Sequence, residues 1–170
     1  MFSGCTSLTT IPSNLLPATT LSDSCYERMF NLCTSLIKAP KLPATTLADY
    51  CYSEMFSNCT SLTTAPSILP AVTLAKGCYQ QMFNSCTLLT SAPELPATTL
   101  VQFCYRYMFT DCSNLNYIKC LATTNIGMQN TTDGWVINVA STGTFVKNPS
   151  ATWETGISAI PEGWTVIDDS

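Results

Sequence analysis

The cysteines are the side chains in this sequence with the clearest capacity for chemistry. The segment from Cys51 to Cys59 reads CYSEMFSNC, so two thiols lie eight residues apart around a Tyr and a Met-Phe pair. The chain of 170 residues contains 10 cysteines and no histidine. A thiol pair of this kind can form a disulfide, bind a metal ion, supply a thiolate nucleophile, or pack as two small apolar side chains.

Spacing and the missing histidine separate these four chemistries. Zinc sites use C-x-x-C pairs or His ligands, and a nucleophilic thiolate needs a base that is commonly His. On a helix, eight residues separate two Cα atoms by roughly 12 Å, whereas a disulfide tolerates about 7 Å. Helices of adjacent repeats are expected about 10 Å apart, which is also too far. The favoured interpretation is free, buried thiols, with disulfides as the alternative.

The cysteine segment belongs to an internal repeat. Met-Phe pairs mark five copies, and their phenylalanines are separated by 28, 26, 27 and 26 residues; they are Phe2, Phe30, Phe56, Phe83 and Phe109. A fixed period in this range is typical of solenoids. Because Met1 occupies the position of the other repeat methionines, we expect residue 1 to lie inside a repeat. An uncapped first repeat would then expose Phe2 and Leu8, which predicts a possible homodimer through this end.

Each repeat is interpreted as a strand, a turn and a helix. SLTTAP is short, rich in Thr and ended by proline, which suits a strand, and LPATTL suits a turn. In residues 47–59, apolar side chains recur at i, i+4 and i+8, which predicts an amphipathic helix with Ser53, Glu54 and Ser57 on its polar side. Thr46 followed by Asp49 resembles a helix cap. The predicted fold is an α/β solenoid of strand–turn–helix units.

The repeat text resembles a known family. The pattern MFxxCTSLTxAPxLPATTL is similar to the BspA-like leucine-rich repeats of bacterial surface proteins, in a Cys-Tyr form resembling Bacteroides-type variants. Met55-Phe56 matches that family's Ala-Phe, Cys59 its Cys and Leu62 its Leu, whereas Tyr52 stands where Gly is usual. The resemblance covers residues 1 to about 124. It implies a right-handed leucine-rich-repeat solenoid that is secreted or exposed at a cell surface.

The composition changes after residue 124, which predicts two domains. Residues 1–124 form the solenoid, with one partial repeat, three full repeats and one degenerate final repeat. Residues 125–170 contain all three Trp and are interpreted as a β-rich capping module, with two strands around Ser141-Thr142-Gly143 and another in IPEGWTVID. The Trp side chains are expected to be core rather than ligand platforms.

Composition also excludes several functions. Charged residues make up 11% of the chain and the net charge is −4, which argues against nucleic-acid binding. The sequence has no apolar run long enough to span a membrane. Its carboxylates do not form a calcium-loop pattern, and repeated residues do not supply a unique catalytic constellation. We therefore expect no catalytic residues, no metal site and no cofactor.

A repeated polar surface remains as the candidate site. The strand face of the repeats is expected to expose a row of small polar residues and one lysine: Thr9, Thr10, Lys38, Thr63, Thr64, Thr90 and Ser91. By resemblance, such a face binds a protein or a glycan at a host or bacterial surface. The predicted function is a non-catalytic adhesion or recognition module. The main alternative is a structural spacer, and an ice-binding threonine grid is disfavoured because Ile37 and Lys38 interrupt it.

Overall fold

The computed structural model describes residues 2–127 and 130–170. It contains three β-strands: β1 (Tyr117–Cys120), β2 (Thr144–Lys147) and β3 (Thr165–Asp168). They form one parallel sheet in the order β1-β2-β3. Ile118 is paired with Phe145, and Phe145 with Val166. Within the described residues no helix occurs. The predicted α/β leucine-rich-repeat solenoid of strand–turn–helix units is therefore wrong, as are the descriptions leucine-rich repeat and solenoid.

Where helices were predicted, the chain instead forms runs of consecutive turns. These runs cover residues 23–32, 49–58, 76–85 and 102–111. Within 49–58 every fourth residue has left-handed backbone, namely Tyr50, Glu54 and Asn58, with φ between 52° and 61°. This period of four is hard to distinguish from the helical 3.6 over thirteen residues. Ser53 and Ser57, predicted on the polar side of a helix, are in fact buried.

Alternate backbone N–H groups in each run bond in different directions. The N–H groups of Ser53 and Met55 donate to the carbonyls three residues earlier, at 3.1 and 3.3 Å. Those of Tyr52 and Phe56 donate to Cys78 and Met82 of the next repeat, at 3.0 and 2.9 Å. Half of the N–H groups therefore close turns and half join neighbouring repeats. The carbonyls of each run that do not close a turn accept hydrogen bonds from the preceding repeat, as Cys51 O does from the N–H of Tyr26 at 3.0 Å.

The predicted helix caps serve the same purpose. Asp23 Oδ1 accepts a hydrogen bond from the N–H of Asp49 in the following repeat, at 3.0 Å. Asp49 Oδ1 accepts in turn from the N–H of Lys76, also at 3.0 Å. Thr46 and Asp49 were expected to cap a helix, and this expectation is wrong because the Asp49 carboxylate accepts its hydrogen bond from the adjacent repeat. Parallel bridges such as Thr20 with Thr46 keep the repeats in register.

Stacked aromatic rings form the centre of the molecule. The Phe column (Phe2, Phe30, Phe56, Phe83, Phe109) has ring centroids 5.5–5.8 Å apart, and neighbouring rings are within 12° of parallel. The Tyr column (Tyr26, Tyr52, Tyr79, Tyr105) has spacings of 5.7–6.2 Å. Each stacked pair contributes about 0.5–1.5 kcal/mol beyond the burial of its area. Repeats are thus much closer than the 10 Å expected for packed helices.

Trp135 continues both columns beyond the repeats. Its ring stacks on Tyr105 at 6.1 Å and tilts against Phe109 at 6.2 Å. Phe109 donates its N–H to Trp135 O at 2.9 Å, so the inter-repeat ladder crosses residue 124. On the outer side, the indole N–H donates to Ala159 O and Gly134 N–H to Ser158 Oγ. Residues 157–160 therefore accept hydrogen bonds that a further repeat would otherwise accept.

The C-terminal predictions are partly confirmed. A strand after residue 143 and a strand in the final segment are present as β2 and β3. The strand predicted before the turn at 141–143 is wrong, because residues 133–138 form a further turn run. Trp135 and Trp164 are buried, as expected for core residues, and Trp164 Nε1 donates to Ala140 O at 2.7 Å. The division into domains at residue 124 stays a prediction.

Two glycines occupy positions where neighbouring repeats approach too closely for a Cβ. Gly77 has φ +59° and lies beneath the ring of Tyr50, which is the residue at the same position of the previous repeat. Gly134, with φ +58°, lies beneath Tyr107 in the same way. A side chain at either position would meet both unfavourable backbone geometry and an aromatic ring.

Replacing Gly77 tests this close approach. Gly77→Ala is expected to lower the free energy of unfolding by about 2–4 kcal/mol, because left-handed backbone and steric overlap with Tyr50 add together. Gly127→Ala is the control, since Gly127 also has positive φ but its Cβ would meet no atom within 4 Å. That variant should lose only about 1 kcal/mol. Urea unfolding followed by circular dichroism measures both, and equal losses would contradict the proposed overlap.

Candidate functional site

The candidate polar residues all lie exposed on adjacent repeats. They are Thr9, Thr10, Lys38, Thr63, Thr64, Thr90 and Ser91. Their backbones are connected: Ile37 N–H donates to Thr9 O at 3.2 Å, Thr63 N–H to Ile37 O at 3.0 Å, and Asn116 N–H to Thr90 O at 3.0 Å. Lys38 pairs with Thr64, and Ser91 with Tyr117, in isolated parallel bridges. The structure thus brings these residues to one surface, outside the three named strands, and their contact with a ligand stays a prediction.

Two grooves adjoin this surface. The first, of ≈330 Å³, lies between neighbouring repeats and is lined by Thr63, Thr64 and Ser91, and also by Tyr117, Glu94 and Lys119. The second, of ≈620 Å³, includes Lys38, Lys41 and several prolines. Thr64, Ala65, Pro66 and Ser67 line both, so the two grooves adjoin along this segment. We name their combined surface the proline groove.

Sequence reasoning missed much of the proline groove. Its prolines follow from the repeated AP-x-LP text, which was interpreted only as strand ends and turns. Between the two prolines of each repeat lies a segment of changing composition, containing Ser13, Lys41, Ser67 or Glu94. These residues stack on one another, since Lys41 N–H donates to Ser13 O and Glu94 N–H to Ser67 O. Variation between repeats at an otherwise fixed position was the signal that could have identified them.

Charge is unevenly distributed along the groove. At one end, Lys119 Nζ contacts Asp169 at 2.9 Å and Glu94 at 3.4 Å. The hydrogen bond to Asp169 raises the pKa of Lys119 above its ordinary value. At the other end are Lys38 and Lys41, and neither takes part in the ion pairs formed within residues 2–127 and 130–170. One end of the groove therefore holds one lysine against two carboxylates, and the other carries free positive charge.

The cysteines are positioned for packing. All ten are free, and eight are buried, whereas Cys5 and Cys25 are exposed. The expectation of burial is thus confirmed for the inner repeats and wrong for these two. Cys59 Sγ donates to Phe30 O of the preceding repeat at 3.1 Å, and Cys86 donates to Phe56 O at 3.2 Å. The buried thiols of this column therefore donate hydrogen bonds to backbone carbonyls of the preceding repeat.

Burial also suppresses ionisation of these thiols. Loss of solvent raises the pKa of Cys51 to about 11 and that of Cys59 to about 12. It raises the pKa of Cys104 and of Cys120 to about 12 as well. Because the thiolate is the nucleophilic and metal-binding form, these residues remain neutral thiols near pH 7. Among the described residues, no group of three or more His, Cys, Asp or Glu side chains is arranged to hold a metal ion.

The aromatic columns offer little surface to a ligand. Tyr52, Tyr79 and Tyr105 are buried, and only Tyr26 is half-exposed. The hydroxyls of Tyr52 and Tyr79 are buried without a hydrogen-bond partner. Burial raises the pKa of Tyr79 well above its ordinary value. The Tyr column is therefore part of the core.

The comparisons with known proteins identify no relatives. No protein-family model, curated protein or solved structure matches the chain. A bilayer-spanning helix is likewise absent from the part of the chain that the structure describes.

Buried thiols predict a loss of stability at alkaline pH. The folded pKa values of Cys51 and Cys59 exceed the ordinary 9.0, so the folded state retains protons that the unfolded state releases. Their stabilising effect is complete below pH 9 and declines as pH rises toward 12. The Tm is therefore expected to fall over this range. Cys59→Ala should reduce the slope of Tm against pH, whereas Cys25→Ala at an exposed position should not. Identical slopes for all three proteins would contradict buried thiols.

Thiol accessibility gives a separate test. In the native protein, a water-soluble aromatic disulfide reagent is expected to react rapidly only with Cys5 and Cys25, because the other cysteines are buried. In denaturant all ten should react. Mass spectrometry of the modified peptides identifies the sites. Rapid native modification of Cys59 or Cys86 would show that the repeats are not packed as described.

Proposed function

We propose that this chain is a non-catalytic recognition module that binds a protein or a glycan through its exposed repeat face. The observation that carries the proposal is the alignment of exposed residues from four successive repeats beside two adjoining grooves. The core beneath it is held by backbone bonds and ring stacking, so side chains on this face can vary without disturbing the fold. Extended surfaces of repeated units commonly serve such binding.

The chemistry of the buried groups favours binding over catalysis. The inner thiols are neutral and used in packing, and the Tyr column is enclosed. The hydroxyls on the repeat face are repeated along several repeats, whereas general acid–base catalysis needs one positioned proton donor or acceptor. A repeated row suits a ligand that makes many similar contacts.

The proposal includes location outside the cell or at its surface. This location rests on the resemblance of the repeat sequence to BspA-like surface proteins. The resemblance lies in the residue types at repeated positions and does not depend on the helices first expected there. The partner is then proposed to be a macromolecule of a host or bacterial surface. A spacer that only separates other domains is the alternative outcome of the experiment below.

The experiment is a screen of immobilised glycans and matrix proteins with wild type and a face variant. Thr63→Glu with Thr64→Glu introduces two charges on the repeat face, and binding of the best ligand is expected to weaken at least about tenfold. Val72→Glu with Thr73→Glu is the matched control, because both residues are exposed but lie outside the proline groove. Equal weakening by both variants would reject the repeat face, and a screen without ligands would favour the spacer.

A further inference from the structure

The larger part of the proline groove combines an apolar floor with positive charge at its rim. Ala39, Pro40, Leu42 and Pro66 are buried and form the floor. Lys38, Lys41 and Ile68 are exposed at the rim. The lining, all of it within the described range 2–127, contains two lysines and no carboxylate. Its volume of ≈620 Å³ lies within the range of about 300–1,000 Å³ typical of ligand pockets.

This positive charge is concentrated in one groove of an acidic chain. The chain carries a net charge of −4, and three of its basic residues, Arg28, Lys119 and Lys147, are paired with carboxylates. Lys38 and Lys41 line one cavity and are free of such partners within the described residues. An anionic ligand would be attracted to this end of the groove and repelled by the end that carries Glu94 and Asp169.

From this combination we infer that the proline groove binds an extended peptide segment in which acidic and aliphatic side chains alternate. The inference rests on the proposed function and selects a protein ligand over a glycan. In an extended chain, successive side chains point to opposite sides. Aliphatic side chains would then contact the buried floor while alternate carboxylates reach Lys38 and Lys41.

The lining also explains why a peptide is preferred to a glycan. Sugar sites commonly present aromatic faces and convergent hydrogen-bonding groups, whereas this part of the groove is lined mainly by proline and aliphatic side chains. Tyr117 is the one aromatic residue lining either part, and it lies at the far end beside the paired Lys119. The apolar floor therefore matches aliphatic side chains better than hydroxyl-rich rings.

The test uses fluorescein-labelled octapeptides and fluorescence anisotropy with the full chain. An alternating Glu-Leu peptide is expected to bind wild type, with affinity decreasing as salt increases. The alternating Gln-Leu peptide should bind at least about fivefold more weakly, since it retains the aliphatic side chains but lacks the charge. Equal binding of both peptides, or no binding of the Glu-Leu peptide, would overturn the inference.

Charge-reversal variants locate the site. Lys38→Glu and Lys41→Glu should each weaken binding of the Glu-Leu peptide by about tenfold, and Lys38→Gln and Lys41→Gln by less. Lys76→Glu is the matched control, because Lys76 is exposed, makes the same change in net charge, and lies outside the groove. An equal effect of Lys76→Glu would indicate general electrostatic attraction and overturn the assignment.

The same variants separate this inference from the proposed function. An oligogalacturonate, an anionic glycan, should bind weakly at most, and its binding should not depend on Lys38. If it instead binds in a Lys38-dependent way while the peptide does not bind, the choice of a peptide is overturned. If the peptide fails while a ligand from the screen is still lost on changing Thr63 and Thr64, only the further inference fails. If the Glu-Leu peptide binds with the expected lysine dependence but no screened ligand is affected by the threonine changes, the role assigned to the threonines fails instead.

Discussion

The structure depends on backbone hydrogen bonds between successive repeats. Every second N–H group of a turn run donates to a carbonyl of the next repeat, as in the bonds from Tyr52 to Cys78 and from Phe56 to Met82. These bonds fix the distance between repeats, and the spacing of 5.5–6.2 Å between stacked rings follows from it. At that distance a buried backbone group without a partner would be costly, so the fold requires an acceptor from each neighbour.

Side-chain choices follow from this close spacing. Flat rings stack without separating the repeats, which explains the Phe and Tyr columns. Cysteine is small enough to lie between them, and Cys59 gives its S–H to a carbonyl of the preceding repeat. Glycine is required where Tyr50 and Tyr107 cover the next repeat. Trp135 closes the two columns together, because its broad ring contacts both Tyr105 and Phe109.

The same arrangement leaves the polar side chains of the repeat face outside the core. With the backbone of each repeat engaged by its neighbours, the polar residues between the prolines can vary, whereas the leucine before the second proline of each repeat is buried in the core. Lys41 and Glu94 occupy related positions in different repeats yet differ in charge, while their backbone bonds to Ser13 and Ser67 are similar. A groove with one positive end and one end where Lys119 contacts two carboxylates results, which gives the surface a direction along which a ligand can be oriented.

The sequence by itself determined the repeat, its period, the buried positions of Phe56 and Cys59, and the exposed row that includes Thr63 and Thr64. These follow from repetition and polarity, which are properties of the residues. It did not determine the backbone, because a period of four and a helical period give the same apolar pattern over a short segment. A few residue types that tolerate left-handed geometry, such as Asn58, Gly77 and Asp111, hinted at turns. Tertiary structure decided the rest. Whether an N–H bonds within its own segment or to a repeat about 26 residues away depends on where that repeat lies, and this placement also brings Lys38, Lys41 and the prolines into one groove.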